Sequence, residues 1–290
     1  MAIVLGIAGC STHAARVPAP ELPLLTATAG ATQLPSEWGP PPIEASSPPV
    51  SPSVRPALKE SVELAVRRVS KAAVAATVVI DRDNDNAIVS ENADRQFAAG
   101  SLVKLLIGMD ALTRHPGDEK VRRRVSTMIQ YSDDPTANSF WVSEGGTEII
   151  SRMSVRMGLQ ATEPPTPATR WGSTLVTAND MARIYGYIMT KADETHRDTI
   201  IKAMASAPSA GSDGFKQHFG IPAATKSSWA IKQAWATDLA DRKLTHSTGL
   251  VGENWRYVVI VLTEHPAKQG WDTATKSVTA GAALAMSTLD

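Results

Sequence analysis

Ser101 and Lys104 stand three residues apart in "GSLVK", residues 100–104. A serine hydroxyl is a weak nucleophile until a base takes its proton. A lysine can be that base when burial or nearby charge lowers its pKa. One helical turn puts the two side chains on one face, and N–H groups at a helix start can hold a developing oxyanion. The same letters also fit an N-cap serine followed by a surface lysine, and a chain this long contains S-x-x-K by chance. Two other stretches bear on the choice. In "YSDDPTAN", 131–138, Ser132 could relay a proton between a lysine and a leaving group, and Asp134 could grip that lysine. The stretch is equally good N-cap chemistry. In "WAIKQAW", 229–235, Lys232 lies on a strand pattern, where it could hold an acidic substrate group or face solvent.

The surrounding pattern supplies elements to position them. "ALKESVELAVRRVSKAA" has apolar residues at helical spacing, and the β-branched "ATVVI", the turn-forming "DRDNDN" and "AIVS" predict a hairpin whose second arm runs into Ser101. From 101 to about 205 the pattern is helical, interrupted by the Pro- and Thr-rich "LQATEPPTPATRWGS". A Gly, Ser and Pro-rich loop over 206–228 leads to three strands, "WAIKQAW", "KLTHSTGLV" and "WRYVVIVLTE", and a last helix. The layout predicts an α+β fold, an α/β sandwich. A five-stranded antiparallel sheet carries the terminal helices on one face and an all-helical lobe on the other, with a cleft between lobe and sheet. The folded domain spans 57–290, with a sheet lobe of 57–100 and 229–290 and a helical lobe of 101–228.

S-x-x-K, then S-D-N, then K-T-G on a strand is the signature of class A β-lactamases and penicillin-binding proteins. Residues 57–290 resemble that serine β-lactamase/DD-peptidase superfamily, with "RQFAAGSLVK", "MIQYSDDPTAN" and the three final strands in the family's order. The resemblance implies Ser101 as the nucleophile that forms an acyl-enzyme, Lys104 as its general base and Ser132 as the proton relay. It implies that Lys232 holds a substrate carboxylate. The oxyanion hole would be the N–H of Ser101 with one from the Lys232 strand near Ala234. Substrates would be a β-lactam, a peptidoglycan peptide or an ester.

The departures from the family matter too. Asp134 stands where the family has Asn. An ionised Asp accepts hydrogen bonds but donates none, so it holds Lys104 in the charged form and loses a contact to substrate amides. Gln233 and Ala234 replace the hydroxyl and glycine of K-T-G. "HSTG", His246–Gly249, is closer in spelling, but only one strand follows it, so topology puts it on the neighbouring strand. In the loop, Glu163 is the only acid and the single candidate for a base that would hydrolyse the acyl-enzyme. Trp141, Trp171 and Trp235 are candidates for the cleft or the core. The second reading is a non-catalytic envelope lipoprotein that keeps the fold as a binding module.

Composition limits the remaining classes. The net charge is zero over 290 residues, which offers nucleic acid no electrostatic footprint. The basic run "KVRRRV" reads as the solvated face of a helix. The six histidines and one cysteine form no metal-ligand spacing, and no Gly-rich phosphate loop follows a strand, so no metal or cofactor is implied. The apolar "MAIVLGIAGC" resembles a bacterial lipoprotein signal, residues 1–10, with Cys10 as the lipidated residue, although no basic residue precedes the apolar run. Residues 11–56 hold eleven of the 19 prolines and read as a disordered tether. The expectation is a monomer outside the cytoplasm, secreted or anchored to a membrane through Cys10.

Overall fold

The longest apolar run of the C-terminal third, Tyr257–His265, is a strand buried on both faces. The computed structural model describes residues 58, 60–287 and 289. The signal-like segment with Cys10 and the proline-rich stretch lie outside the described residues. In chain order the elements are α1 (Val62–Val69), β1 (Val74–Asp81), β2 (Asn86–Glu91), β3 (Phe97–Ala98), α2 (Lys104–Arg114), α3 (Glu119–Gln130), α4 (Asp134–Ser143) and α5 (Thr147–Met157). Then come β4 (Leu175–Val176), α6 (Ala178–Thr190), α7 (Glu194–Ala205), α8 (Ile221–Ala224), β5 (Trp229–Thr237), β6 (Lys243–Val251), β7 (Tyr257–His265) and α9 (Trp271–Met286). Among the described residues no helix is long and apolar enough to cross a membrane.

The main sheet has the order β2-β1-β7-β6-β5, and every pairing is antiparallel. Side chains alternate across a strand, and β7 shows what that does. Val258, Ile260 and Leu262 pack against Leu105, Leu106 and Tyr185 of the helical lobe. Tyr257, Val259 and Val261 pack on the other face with Val62, Val278 and Ala282 of the terminal helices. Each such side chain contributes about 2 kcal/mol of burial. α1 and α9 approach so closely that a Cβ on Gly281 would lie 2.7 Å from Val66 Cγ2, so this position requires glycine. The fold class expected from the sequence is therefore the one found, down to the five-stranded sheet.

Three local features differ from the sequence pattern. The second hairpin arm does not run into Ser101: β2 stops at Glu91, and the two-residue β3 pairs with β4 outside the main sheet. Ser101 lies in a 3₁₀ turn, Gly100–Val103, that precedes α2. The 206–228 stretch contains α8, and its Ala207, Phe219 and Ile221 pack on the terminal-helix side, so it belongs with the sheet lobe. The basic run lies on α3 as expected. Val121 and Val125 are buried while Arg122 and Arg123 pair with Glu119 near solvent.

Candidate active site

A 3₁₀ turn has three residues per turn, so side chains at i and i+3 eclipse. That geometry brings Lys104 Nζ to 2.9 Å from Ser101 Oγ. The turn opens on Gly100 at φ +51°, in the left-handed region that favours glycine, beside Ala234 of β5. The second stretch divides its three polar residues. Asp133 caps α4 by accepting from the Thr136 N–H at 2.8 Å, with Pro135 in the first turn. Ser132 and Asp134 are thereby left for Lys104. Ser132 holds φ +54°, a strained value for serine. Lys104 Nζ donates toward Ser132 O at 2.8 Å, Ser132 Oγ at 3.2 Å and Asp134 Oδ1 at 2.5 Å.

Lys232 completes the chain of contacts, its Nζ 2.9 Å from Ser132 Oγ. Two buried lysines thus share one hydroxyl, with one adjacent carboxylate between them. Burial lowers the pKa of Lys104, opposed first by the charge of Asp134. Burial also lowers Lys232 well below its ordinary value, and the charge of Lys104 lowers it further. The site resists carrying two protons on its lysines, which is the condition for one of them to act as a base.

β5 forms one edge of the sheet. Alternate residues of an edge strand turn their N–H and C=O outward. The Lys232 carbonyl points inward, where it accepts from Thr248 Oγ1 of β6, and the Gln233 carbonyl accepts from Lys232 Nζ. The outward set is then Gln233, Trp235 and Thr237. The expected N–H near Ala234 is thereby narrowed: by this alternation the outward N–H there is that of Trp235, while that of Ala234 turns toward β6. The expectation for Gln233 is corrected. By the same alternation its side chain leaves the face shared by Lys232 and Ala234, and its amide donates to Phe219 O at 2.6 Å and Gln217 O at 3.2 Å. Lys232 itself is 1% exposed, its Nζ held by Ser132 Oγ and the Gln233 carbonyl.

The wall opposite β5 is the loop between α5 and α6. Its base is tied down by the β3–β4 pair, by Glu163 bridged to Leu175, and by Asp180, which accepts from the N–H groups of Gln160 and Ala161. From α4, Trp141 Nε1 donates to Ala168 O at 3.0 Å, and Asn138 Oδ1 accepts from Trp171 Nε1 at 2.7 Å. Arg170, Trp171 and Ser173 are thus carried to the cleft of about 220 Å³ that also contains Ser101, Asp134, Trp235, Thr237 and Asp238. The Trp171 ring lies 4.9 Å from Lys104 Nζ, a cation–π distance. Glu163 is absent from this lining, and its carboxylate accepts from Gln96 Nε2 at 2.8 Å. The loop spends its one acid on its own anchoring and offers the cleft an indole and a guanidinium.

Trp171 and Trp235 therefore line the cleft, while Trp141 braces the loop. Sequence reasoning missed Arg170, Ser173, Thr237 and Asp238. The available signal was a loop of more than twelve residues without periodicity, a length that usually carries function.

His246 lies on β6, as topology required, but not in the cleft. Its Nδ1 accepts from the Thr263 N–H at 3.1 Å, which leaves Nε2–H to donate to Ala98 O at 2.9 Å and so brace the approach to Ser101. Burial drops its pKa from 6.5 to about 4, and His265, in the same polar core, falls similarly. A histidine kept neutral by folding stabilises fully above its unfolded pKa, and that contribution disappears as pH falls toward the folded one. Stability should therefore decline between pH 6.5 and 4, by on the order of 3 kcal/mol from His246. Urea unfolding across that range tests this, and His246→Gln should flatten the slope; an unchanged slope would remove His246 from the account.

A family model described as the β-lactamase enzyme family matches residues 114–286. Proteins named "Putative lipoprotein LppW" in Mycobacterium tuberculosis and Mycobacterium bovis are 31% identical over 219 residues, covering 70% of this chain and 68% of theirs. Among solved structures, a β-lactamase from Chitinophaga pinensis superposes with a TM-score of 0.61 at 11% identity, over 79% of this chain and 99% of its own. A class A β-lactamase from Bacteroides cellulosilyticus gives 0.62 at 12% identity, over 79% and 99%. At those identities the superpositions speak for the fold. The matched family model adds descent, for it covers more than half of the sequence, and the chain belongs to the β-lactamase enzyme family.

Proposed function

We propose that the protein is an exported serine acyl-hydrolase or peptidase that forms an acyl-enzyme on Ser101. The observation that carries this reading is the contact chain from Ser101 Oγ to Lys104, Ser132 and Lys232, every link at or below 3.2 Å. In the reaction, neutral Lys104 takes the Ser101 Oγ proton as Oγ bonds to the substrate carbonyl carbon. The N–H groups of Ser101 and Trp235 receive the oxyanion. Ser132 gives its proton to the departing nitrogen or oxygen and regains one from Lys104, and the carbon–leaving-group bond breaks. With no loop carboxylate in the cleft lining, release of the acyl group by water is slow. A β-lactam, a peptidoglycan peptide or an ester fits this chemistry. The names of the mycobacterial relatives, together with Cys10 behind an apolar segment, support a lipid-anchored envelope location.

A fluorescent penicillin and a fluorophosphonate test the reading. Covalent label on the wild-type chain and none on Ser101→Ala is the expected result. The Asp134–Lys104 contact and the turned-away Gln233 favour the non-catalytic binding module as the second reading, and absence of label with every acylating probe would establish it over the first.

A further inference from the structure

Lys232 was expected to hold the substrate's acidic group, yet it is buried beneath Ser132, its Nζ bonded to Ser132 Oγ and to the Gln233 carbonyl. Lys104 is equally enclosed and carries its own set of acceptors. Of the charged residues lining the cleft, Asp134 is on Lys104, and Asp238 accepts from the N–H groups of Ala240 and Arg242. Arg170 differs. It lines the same cleft as Ser101, it is exposed, and among the described residues no side-chain hydrogen bond or ion pair occupies its guanidinium. Its backbone is fixed by an N–H bond to Pro167 O at 3.0 Å, and its neighbour Trp171 is locked by Asn138. An unpaired planar fork on a braced segment is suited to receive a carboxylate through two parallel bonds.

We propose that Arg170 is the anion anchor of this cleft, and that the substrate class is an acyl donor whose acyl half carries a free carboxylate. This rests on the acyl-enzyme reading above and names the substrate side it takes. Two indoles line the cleft that holds Ser101 and Arg170. Trp171 is held by Asn138, and Trp235 is held by Asp213 at 2.8 Å and stacked on Phe215 at 4.8 Å. Asp134 and Asp238 repel a carboxylate placed elsewhere in the cleft, so they add position to the preference.

The test uses p-nitrophenyl monoesters of succinate, glutarate and adipate, each beside the neutral ester in which the free acid is methylated. For the wild-type chain the acylation rate constant per molar should favour the best-fitting free acid over its methylated partner by about 10- to 100-fold. Arg170→Gln should collapse that ratio toward one, and Arg170→Lys should retain part of it, because charge remains and the fork does not. No preference in the wild type, or the same preference in Arg170→Gln, would overturn the assignment. A second arm is independent of chemistry: calorimetric binding of free glutarate to Ser101→Ala, expected to be saturable and to vanish in Ser101→Ala/Arg170→Gln. If neither ester acylates Ser101, the hydrolase reading fails while this arm still decides the anchor. Equal glutarate binding by both proteins, or none by either, would remove it.

Discussion

Lys104→Met should cut acylation of Ser101 by about 10³-fold or more and at the same time raise the melting temperature. The first effect follows from chemistry: Nζ is the group hydrogen-bonded to Ser101 Oγ, and without it the hydroxyl loses the base that takes its proton. The second follows from burial. Lys104 has no exposed side-chain surface, while its partner Asp134 is 63% exposed. Burial lowers the pKa of Lys104 in spite of the charge and hydrogen bond of Asp134, so folding disfavours its charged form. Methionine fills similar space without that penalty, and Lys232 loses a like charge that is distant in sequence but one hydroxyl away in space. Against this stand the lost bonds from Nζ to Ser101 Oγ, Ser132 O, Ser132 Oγ and Asp134, together worth about 2 kcal/mol net, where desolvating an ion costs several. Asp134 loses its partner cheaply because water reaches it. The net gain of about 1–3 kcal/mol corresponds to a rise of about 2–10 °C for a domain of this size. Calorimetry and intact-mass measurement of the acyl adduct read the two effects separately. A melting temperature that falls, or acylation that survives within tenfold, would mean that Lys104 serves as scaffold and not as base.

The pairing of Ser101 with Lys104 was legible because their relation is local. Three residues of spacing on a turn fix it, and no distant contact is needed. The sheet was legible for a similar reason, since alternation in "WAIKQAW" and the continuous apolar run of β7 report burial on one face or two. What the sequence withheld was set by contacts between distant segments. Glu163 was the natural candidate for a hydrolytic base as the sole acid of its loop, but whether it meets Ser101 depends on a bridge to Leu175 that no periodicity announces. Gln233 lay nearer to legibility. Lys232, Ala234 and Ala236 share one face by alternation, and small residues there are what close approach to Gly100 needs, so Gln233 had to point the other way. The division of labour in "YSDDPTAN" was open until the cap was seen to be Asp133, which frees its two neighbours for chemistry.

That division gives Asp134→Asn its meaning. Acylation needs Lys104 neutral, so its rate falls as pH drops through the pKa of Lys104. Burial lowers that pKa, and the charge and hydrogen bond of Asp134 are the largest influences holding it up. Asparagine keeps an oxygen for Nζ and removes the charge. The pKa of Lys104 should then fall further, and the acidic limb of the acylation profile should move to lower pH. On that limb the rate should rise on the order of tenfold; on the plateau a less basic lysine should give a rate that is equal or slightly lower. The amide also adds an N–H donor that could grip a substrate amide, so the measurement uses simple p-nitrophenyl esters, which contain no amide to reward it. Asp134→Ala separates charge from contact, since it should move the limb the same way but lose the positioning of Nζ and with it part of the plateau rate. A limb that moves to higher pH in Asp134→Asn, or a rate that drops at every pH, would show that the carboxylate itself stores the serine proton. Lys104 would then be a conduit between Ser101 and Asp134, and the substitution of aspartate for the family's asparagine would be the origin of this site's base instead of a brake on it.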